Sequence, residues 1–411
     1  MAASRSIADA PWLNSGPLPR LLGVLNSDGE EARIVGGAVR NALLGEPVHE
    51  IDVATTALPQ LVVQRVESAG FKAVPTGIEH GTVTVVIDRH PFEVTTLRED
   101  VETYGRHAKV VFGRDWQRDA ERRDFTMNAL SASADGTIHD YVGGIADADA
   151  RHVRFIGEPA KRIAEDYLRI LRFFRFHAAY GRGELDAAGF AACIAGREGL
   201  DQLSRERVRM ELLKLLVAPR AVASLAAMLD AGLLVRVLDG VPNVANVESL
   251  AAIEQALALG ADATRRLAAL GVLVPEDGER LWQKLRLTNA EHERLATIGE
   301  HWRLASAALS EPQARALLYR LEDAFVDVVL IGWVRSGAPA TDAGWRKLAQ
   351  LPQRWTPPAF PLKAADLIAR GLEKGPALGK ALAAAERAWI AQDFPAEKAA
   401  LDAIADAAAK G

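Results

Sequence analysis

A single cysteine, Cys193, stands in 411 residues. That excludes an intramolecular disulfide and any cysteine-rich zinc site, and it points to a reducing, cytoplasmic compartment. No apolar run reaches the ~18 residues that a membrane span needs. The stretch MAASRSIADAPWLNSG has no basic segment followed by an apolar core, so no signal peptide is expected in it. An excess of positive charge is missing as well. Lys and Arg number 49 against 54 Asp and Glu, a formal net charge of −5, so a nucleic-acid partner would have to meet a local basic face. No repeat of fixed period is present, and no low-complexity tract beyond the Ala-rich tail.

The length predicts two or more domains, and a hydrophobic fraction of 49% is ample for buried cores. The texture changes along the chain. From about Arg33 to Gly144, short β-branched runs such as TVTVVI (82–87) and FEVTTL (92–97) alternate with helical stretches. From about Glu158 onward, Ala, Leu, Arg and Glu recur at helical spacing. The reading is an α/β head followed by a long helical body. Breaks fall near 181–184, 239–243, 274–278 and 351–361, and the last, LPQRWTPPAFP, is the candidate linker to a C-terminal helical segment.

The segment IVGGAVRNALLGEPVHEIDVATTA (34–57) combines features that are individually weak. A short apolar strand breaks at Gly36-Gly37 and gives way to a helix carrying Arg40; the chain turns at Gly45 and Pro47, and a second short strand carries Glu50 and Asp52. At i, i+2 on a strand both carboxylates point the same way. They repel each other unless a cation lies between them. A double glycine is most often a turn, and an E-x-D pair alone is most often a solvated strand face. Together, glycines opening a helix N-terminus, an arginine one turn later and paired acids suggest phosphoryl or nucleotidyl transfer. Glu93, a lone acid in an apolar strand, is a candidate third carboxylate or an edge acid facing water. In ERRDFTMNAL (121–130), Arg122, Arg123, Asp124 and Asn128 surround a helical run expected to begin near Thr126, suited to triphosphate and ribose contacts.

RIAEDYLRILRFFRF (162–176) reads as one helix, with Asp166 and Arg169 at i, i+3 on one face and Arg172 and Arg175 extending the series. Leu168, Ile170, Leu171 and Phe174 form its buried side. An Asp–Arg pair at this spacing is ordinarily a surface salt bridge. It has a second capability: a carboxylate accepts and a guanidinium donates. Cytosine and adenine each present an amino group and a ring-nitrogen acceptor, and uracil and guanine present the reverse. One fixed Asp/Arg pair would therefore accept C and A and refuse U and G.

Seven motifs now stand in order over about 180 residues: GGAVRNALLG with EID, GIEHGTVTV, FEVTTLR, RRDFTMNAL, DYVGG, RIAEDYLRILRFFRF and LSRERVRMELLKLL. The series resembles the class II, bacterial-type CCA-adding tRNA nucleotidyltransferases, a family of the DNA polymerase β superfamily that also holds bacterial poly(A) polymerases. The resemblance implies an α+β fold. A nucleotidyltransferase head (1–155), with a small, mostly antiparallel mixed sheet and helices, would precede an all-α neck (156–220), body (221–355) and tail (356–411). It implies template-independent addition of CCA to the 3′ end of tRNA from CTP and ATP, with pyrophosphate released. Glu50 and Asp52 would hold Mg²⁺ and, with Glu93, form the catalytic set. Gly36, Gly37, Arg40, Arg123, Asp124 and Asn128 would contact the nucleotide. Asp166 and Arg169 would read its base, with Arg172 and Arg175 in support.

Two positions depart from the family pattern. Glu50 stands where the family usually has Asp, and Asn41 replaces the acid that often follows the arginine. No paired-histidine signature appears among the nine histidines, so no appended phosphohydrolase domain is expected. RNA contact is expected from the helical part, at the tRNA 3′ end and acceptor/T-arm, with no membrane partner. Residues 151–182 carry eight Lys/Arg against three acids, and Arg205, Arg207, Arg209 and Lys214 form a second cluster that reads equally as a solvated helix face. REDVETYGRHAKVVF (98–112) reads as an intact flexible loop, against a CC-only enzyme. The alternatives are poly(A) addition, partial CC or A addition, and a catalytically silent RNA-binding protein of the same fold.

Overall fold

The structure is a computed structural model. It describes residues 5–104 and 107–410, with the side chains of all of these except 76, 80 and 99–110. The described chain separates into two compact units, Met1–Val237 and Leu238–Gly411.

The first unit is built on a mixed sheet. Its strands are β1 (Ala32–Val35), β2 (Asp52–Thr55), β3 (Lys72–Gly77), β4 (Thr82–Ile87), β5 (His90–Thr96), β8 (Ser131–Ala132) and β9 (Ile138–His139), in the order β3-β4-β5-β2-β1-β8-β9. Only β2 and β5 pair in parallel. Alternation sorts the two faces. Ile34, Val53, Val83, Val85, Phe92, Val94, Ala132 and Ile138 are buried in one core with α1 (Pro11–Asn14), α2 (Pro17–Leu25), α3 (Gly37–Leu44) and α4 (Pro59–Ser68). On the other face the in-register residues Val35, Asp52 and Glu93 lie side by side. The DRHP turn is a two-residue hairpin loop, with Asp88 and Arg89 both at positive φ. The expected flexible loop at 98–112 is instead a second sheet of two strands, β6 (Arg98–Tyr104) and β7 (His107–Phe112); Gly105 and Arg106 lie outside the described residues.

Two expectations about the elements change. The strand carrying the acid pair begins at Asp52, and Glu50 lies in the irregular segment before it. β1 ends at Val35, paired with Asp52, so residues 50 and 51 have no β1 partner. The helix expected from Thr126 is one 3₁₀ turn, Thr126–Asn128, because the chain pairs at Phe125 with Phe155 before it and enters β8 after it.

After α5 (Trp116–Glu121) and α6 (Gly144–Asp149) come α7 (Pro159–Glu165) and α8 (Leu168–Tyr180). The single helix expected over 162–176 is thus two, parted at Asp166 and Tyr167. Asp166 is extended, with φ −155°, and its Oδ1 accepts from the Leu168 N–H at 3.1 Å. Short acidic side chains offer the backbone this alternative to a continuous helix. α10 (Arg205–Leu216) and α11 (Ala221–Asp230) pack on α8, and α9 (Ala187–Ala195), followed by the 3₁₀ turn Arg197–Gln202, packs on α7 and meets α8 where Phe190 lies 6.0 Å from Phe174. Phe125, Phe155, Phe173 and Phe176 hold α8 against the head, with Phe125 4.9 Å from Phe155 and 5.2 Å from Phe176 between ring centroids.

The second unit is helical throughout its described residues. Its Pro-rich stretch is packed: Phe360 lies 5.3 Å from Trp389, and Trp355 5.1 Å from Phe394. No helix of the described residues is long and apolar enough to cross a membrane.

Tyr167 rests on the bare backbone of Gly199, where an added Cβ would come within 2.0 Å of its ring. Gly199→Ala should therefore cost about 1–3 kcal/mol through forced repacking. Gly23→Ala, in open space on α2, should leave stability unchanged or slightly raised. Thermal denaturation of both variants measures the contrast.

Candidate active site

The turn from β1 into α3 shows why glycine is needed at position 36. Gly36 has φ 67°, and a Cβ there would stand 3.2 Å from Nη1 of Arg123. Its N–H donates to the Leu130 carbonyl at 2.9 Å. The start of α3 has no side-chain cap, and Gly37 lines the cavity there. One turn on, Arg40 is buried. Its guanidinium donates to Asn128 Oδ1, to Tyr180 Oη at 2.8 Å, and to Asn41 Oδ1 at 2.8 and 3.1 Å. It lies 3.9 Å from the Tyr180 ring centroid.

The acids stand beside this turn. Parallel pairing of β2 and β5 places Asp52 opposite Glu93. Glu50 does not share their strand, yet it lines the same cavity as Asp52. Partial burial, then the charges of Glu93 and Glu50, push the Asp52 carboxyl above the usual carboxylate range, against the pull of Arg123. That mutual repulsion is the electrostatic signature of a place that a cation would relieve. No group of three or more His, Cys, Asp or Glu that could hold a metal ion forms among the described residues. The carboxylates that could hold a cation here are Glu50 and Asp52, which line one cavity, with Glu93 paired beside Asp52.

The facing wall is made of arginines, each anchored from behind. Asp119 takes Arg122 at 2.6 Å and Arg123 at 3.1 Å. Asp124 accepts from Arg172 Nε at 2.6 Å and from the Asn128 side chain at 3.1 Å. Burial works to raise the Asp124 carboxyl, but Arg172 foremost and Asn128 next hold it below the ordinary range. Glu211 takes Arg175. The Arg169 N–H donates to the Asp166 carbonyl at 3.0 Å, but their side chains do not form the ordinary i, i+3 salt bridge. Asp166 is held by Arg207 of α10 at 2.6 and 3.2 Å, and Arg169 by Glu165.

The glycine turn, Glu50, Asp52 and the arginines border one cavity of about 530 Å³. It is lined by twelve of the thirteen residues expected from the sequence: Gly36, Gly37, Arg40, Glu50, Asp52 and Arg123, then Asp124, Asn128, Asp166, Arg169, Arg172 and Arg175. Glu93 adjoins it through Asp52. Arg122, Arg207 and Phe176 line it as well. In sequence Arg207 belongs to the cluster of Arg205, Arg209 and Lys214, which reads equally as a basic stripe for RNA and as a solvated helix face. Phe176 had not been singled out, although three arginine guanidinium carbons, of Arg40, Arg172 and Arg175, lie within 5.2 Å of its ring.

Comparison with known proteins gives a consistent result. Residues 32–154 match the family model described as poly A polymerase head domain. Residues 184–246 match the one described as probable RNA and SrmB-binding site of polymerase A. The chain is 33% identical to the CCA tRNA nucleotidyltransferase 1, mitochondrial, of Mus musculus, over 93% of this chain and 88% of that protein. It is 31% identical to the CCA-adding enzyme of Limosilactobacillus fermentum, over 89% and 90%. Among solved structures, that of the Bacillus stearothermophilus CCA-adding enzyme in complex with CTP superposes with a TM-score of 0.73 at 29% identity, covering 94% of this chain and 95% of that one.

Two expectations follow from the charges. Asp124→Ala leaves the Arg172 guanidinium with only Glu211, at 3.7 Å, and should cost about 3 kcal/mol, the lower end for a broken buried pair; chemical denaturation measures it. For Asp52 the sign is opposite. A carboxyl raised in the folded state is most favourable below its unfolded pKa, and that stability is lost as pH rises through the folded value. Asp52→Asn should therefore melt higher than the wild-type protein at neutral pH, with the difference vanishing below the ordinary aspartate range.

Proposed function

The chain belongs to the family of CCA-adding tRNA nucleotidyltransferases, and from that membership we propose that it adds C, C and A to the 3′ end of tRNA from CTP and ATP. The observation that carries the reading is the single cavity with paired acids on one wall and a guanidinium wall opposite. The tRNA 3′-hydroxyl attacks the α-phosphorus, the bond to pyrophosphate breaks, and no nucleic-acid template is used.

In this reading each residue of the cavity has a role that its position supports. The uncapped start of α3 at Gly36 and Gly37, with Arg40 and Arg123, receives the triphosphate. Glu50 and Asp52 would hold divalent cations, two Mg²⁺ in our reading, which would supply Lewis-acid activation and charge neutralisation at the reacting phosphate when bound. Glu93 completes the catalytic carboxylates. Asp124 and Asn128 brace the sugar side of the cavity, and Arg172 and Arg175 support the base.

The base readers keep the right valences free. A carboxylate has about four lone-pair sites. Asp166 uses three, on Leu168 N–H and on Arg207 twice. A guanidinium has five N–H donors. Arg169 uses three, on the Arg162 carbonyl, Glu165 and the Arg122 carbonyl. One acceptor and two donors remain, which matches the amino group, ring nitrogen and carbonyl of cytosine. The amino group and N1 of adenine satisfy the acceptor and one donor. The division into head (1–155), neck (156–220), body (221–355) and tail (356–411) belongs to the same proposal. In it the body and tail take the acceptor/T-arm of tRNA, and the enzyme works in the cytoplasm, where a lone thiol such as Cys193 stays reduced.

The test offers the purified protein a tRNA lacking its 3′-CCA, with labelled CTP, ATP, UTP and GTP singly and together. CTP and then ATP should be incorporated, UTP and GTP refused, and Asp52→Ala should abolish incorporation while the protein stays folded. Long ATP-only tails would indicate poly(A) addition, products ending in CC a partial enzyme, and binding without incorporation a silent RNA-binding protein. Activity of Asp52→Ala within a few-fold of wild type would sink the metal-dependent reading.

A further inference from the structure

We propose that Arg207 is a positioning residue for base selection: its two-pronged hold on Asp166 keeps that carboxylate apart from Arg169 and turned to the incoming base. The inference rests on the reading of Asp166 and Arg169 as the base readers. It adds a residue from another helix that makes their separation stable.

The argument starts from the gap between α7 and α8. Asp166 sits there in extended backbone, three residues before Arg169. Opposite charges that close in sequence, in one cavity, tend to collapse into an ion pair, which would consume the acceptor and the donors needed for a base. The structure shows a crossed arrangement instead. Glu165, the last residue of α7, takes Arg169, while Arg207, in the first turn of α10, takes Asp166. Arg207 Nη2 donates to Oδ2 at 2.6 Å and Nη1 to Oδ1 at 3.2 Å. Such a planar fork fixes the plane of the carboxylate, which a single point charge does not. The Leu168 N–H on Oδ1 adds a third restraint. Loss of Arg207 leaves Asp166 free to turn and pair with Arg169.

Arg207 lines the nucleotide cavity, and Asp166 answers its charge. A residue of this kind differs in its consequences from one that grips RNA phosphates. Loss of a phosphate contact weakens tRNA binding whatever nucleotide is offered and lowers the salt dependence of binding. Loss of a positioning contact changes the choice among nucleotides and leaves the KM for tRNA as it was.

The experiment measures kcat/KM for CTP and for UTP, and the KM for tRNA lacking CCA. It uses the full chain as wild type, Arg207→Ala, Arg207→Lys, Asp166→Ala and the double variant Asp166→Ala/Arg207→Ala. Arg207→Ala should narrow the CTP-to-UTP preference by about tenfold, the scale of a lost hydrogen bond to a charged group, with the tRNA KM unchanged. Arg207→Lys, which restores the charge without the fork, should recover only part of the preference. In the Asp166→Ala background the second substitution should change the preference no further. A wild-type preference in Arg207→Ala, with an altered one in Asp166→Ala, overturns the positioning role alone, as does an effect that persists in the double variant. A wild-type preference in Asp166→Ala removes the base-reading premise itself. Should Arg207→Ala not fold, Arg207→Lys and Arg207→Gln carry the same comparison, and a wild-type preference in both overturns the proposal.

Discussion

The first unit depends on neutralising a wall of arginines from behind. Seven guanidinium groups, of Arg40, Arg122, Arg123, Arg169, Arg172, Arg175 and Arg207, border one cavity. Left alone they would repel one another and resist the burial that Phe173 and Phe176 impose on α8. Five acids offset this: Asp119, Asp124, Glu165, Asp166 and Glu211. The Asp124–Arg172 pair is the link on which most else hangs. Asp124 is also bound by Asn128, whose Oδ1 accepts from Arg40, so α3, the 3₁₀ turn at 126–128 and α8 are joined by one polar chain. A buried polar network of this kind specifies geometry only when its members are satisfied, and here each link has a named partner.

That requirement explains what could and could not be read from the sequence. The glycine turn into α3 and the arginine series are local signals: residue type and spacing suffice, and the cavity gathers the residues they named, with Glu93 beside it. Glu93 shows the limit of such a signal: one charge in an apolar strand is accommodated because its side chain is exposed, while parallel pairing sets it beside Asp52. The break at Asp166 was not legible. Leu168, Ile170, Leu171 and Phe174 are all buried, so the helical period runs up to the gap without announcing it. The gap is set by the capping bond to Leu168 and by Arg207, some forty residues away in sequence. Arg207 itself was hidden for the same reason. Within LSRERVRMELLKLL its charge resembles its neighbours', and only the fold of α10 against α8 distinguishes it.

The departure at position 41 takes on meaning in this setting. Six of the seven cavity arginines have a carboxylate partner. Among the described residues Arg40 has none; its partners are Asn41, Asn128 and Tyr180, all neutral. Burial first, and then the charge of Arg175, lower its guanidinium below the ordinary arginine range, while Tyr180 and Asp124 work the other way. A guanidinium with that range still carries its proton at neutral pH. The result is a buried cation held in place by hydrogen bonds to neutral groups and by the Tyr180 and Phe176 rings, with its charge answered only at a distance, by Asp124. An acid at position 41 would have supplied that answer locally. With asparagine there, the hydrogen bonds that orient Arg40 remain, and the neighbouring oxygen that accepts them carries no charge. Orientation and direct charge pairing are separated here: neutral side chains supply the first, and among the described residues no carboxylate bonds to Arg40 to supply the second.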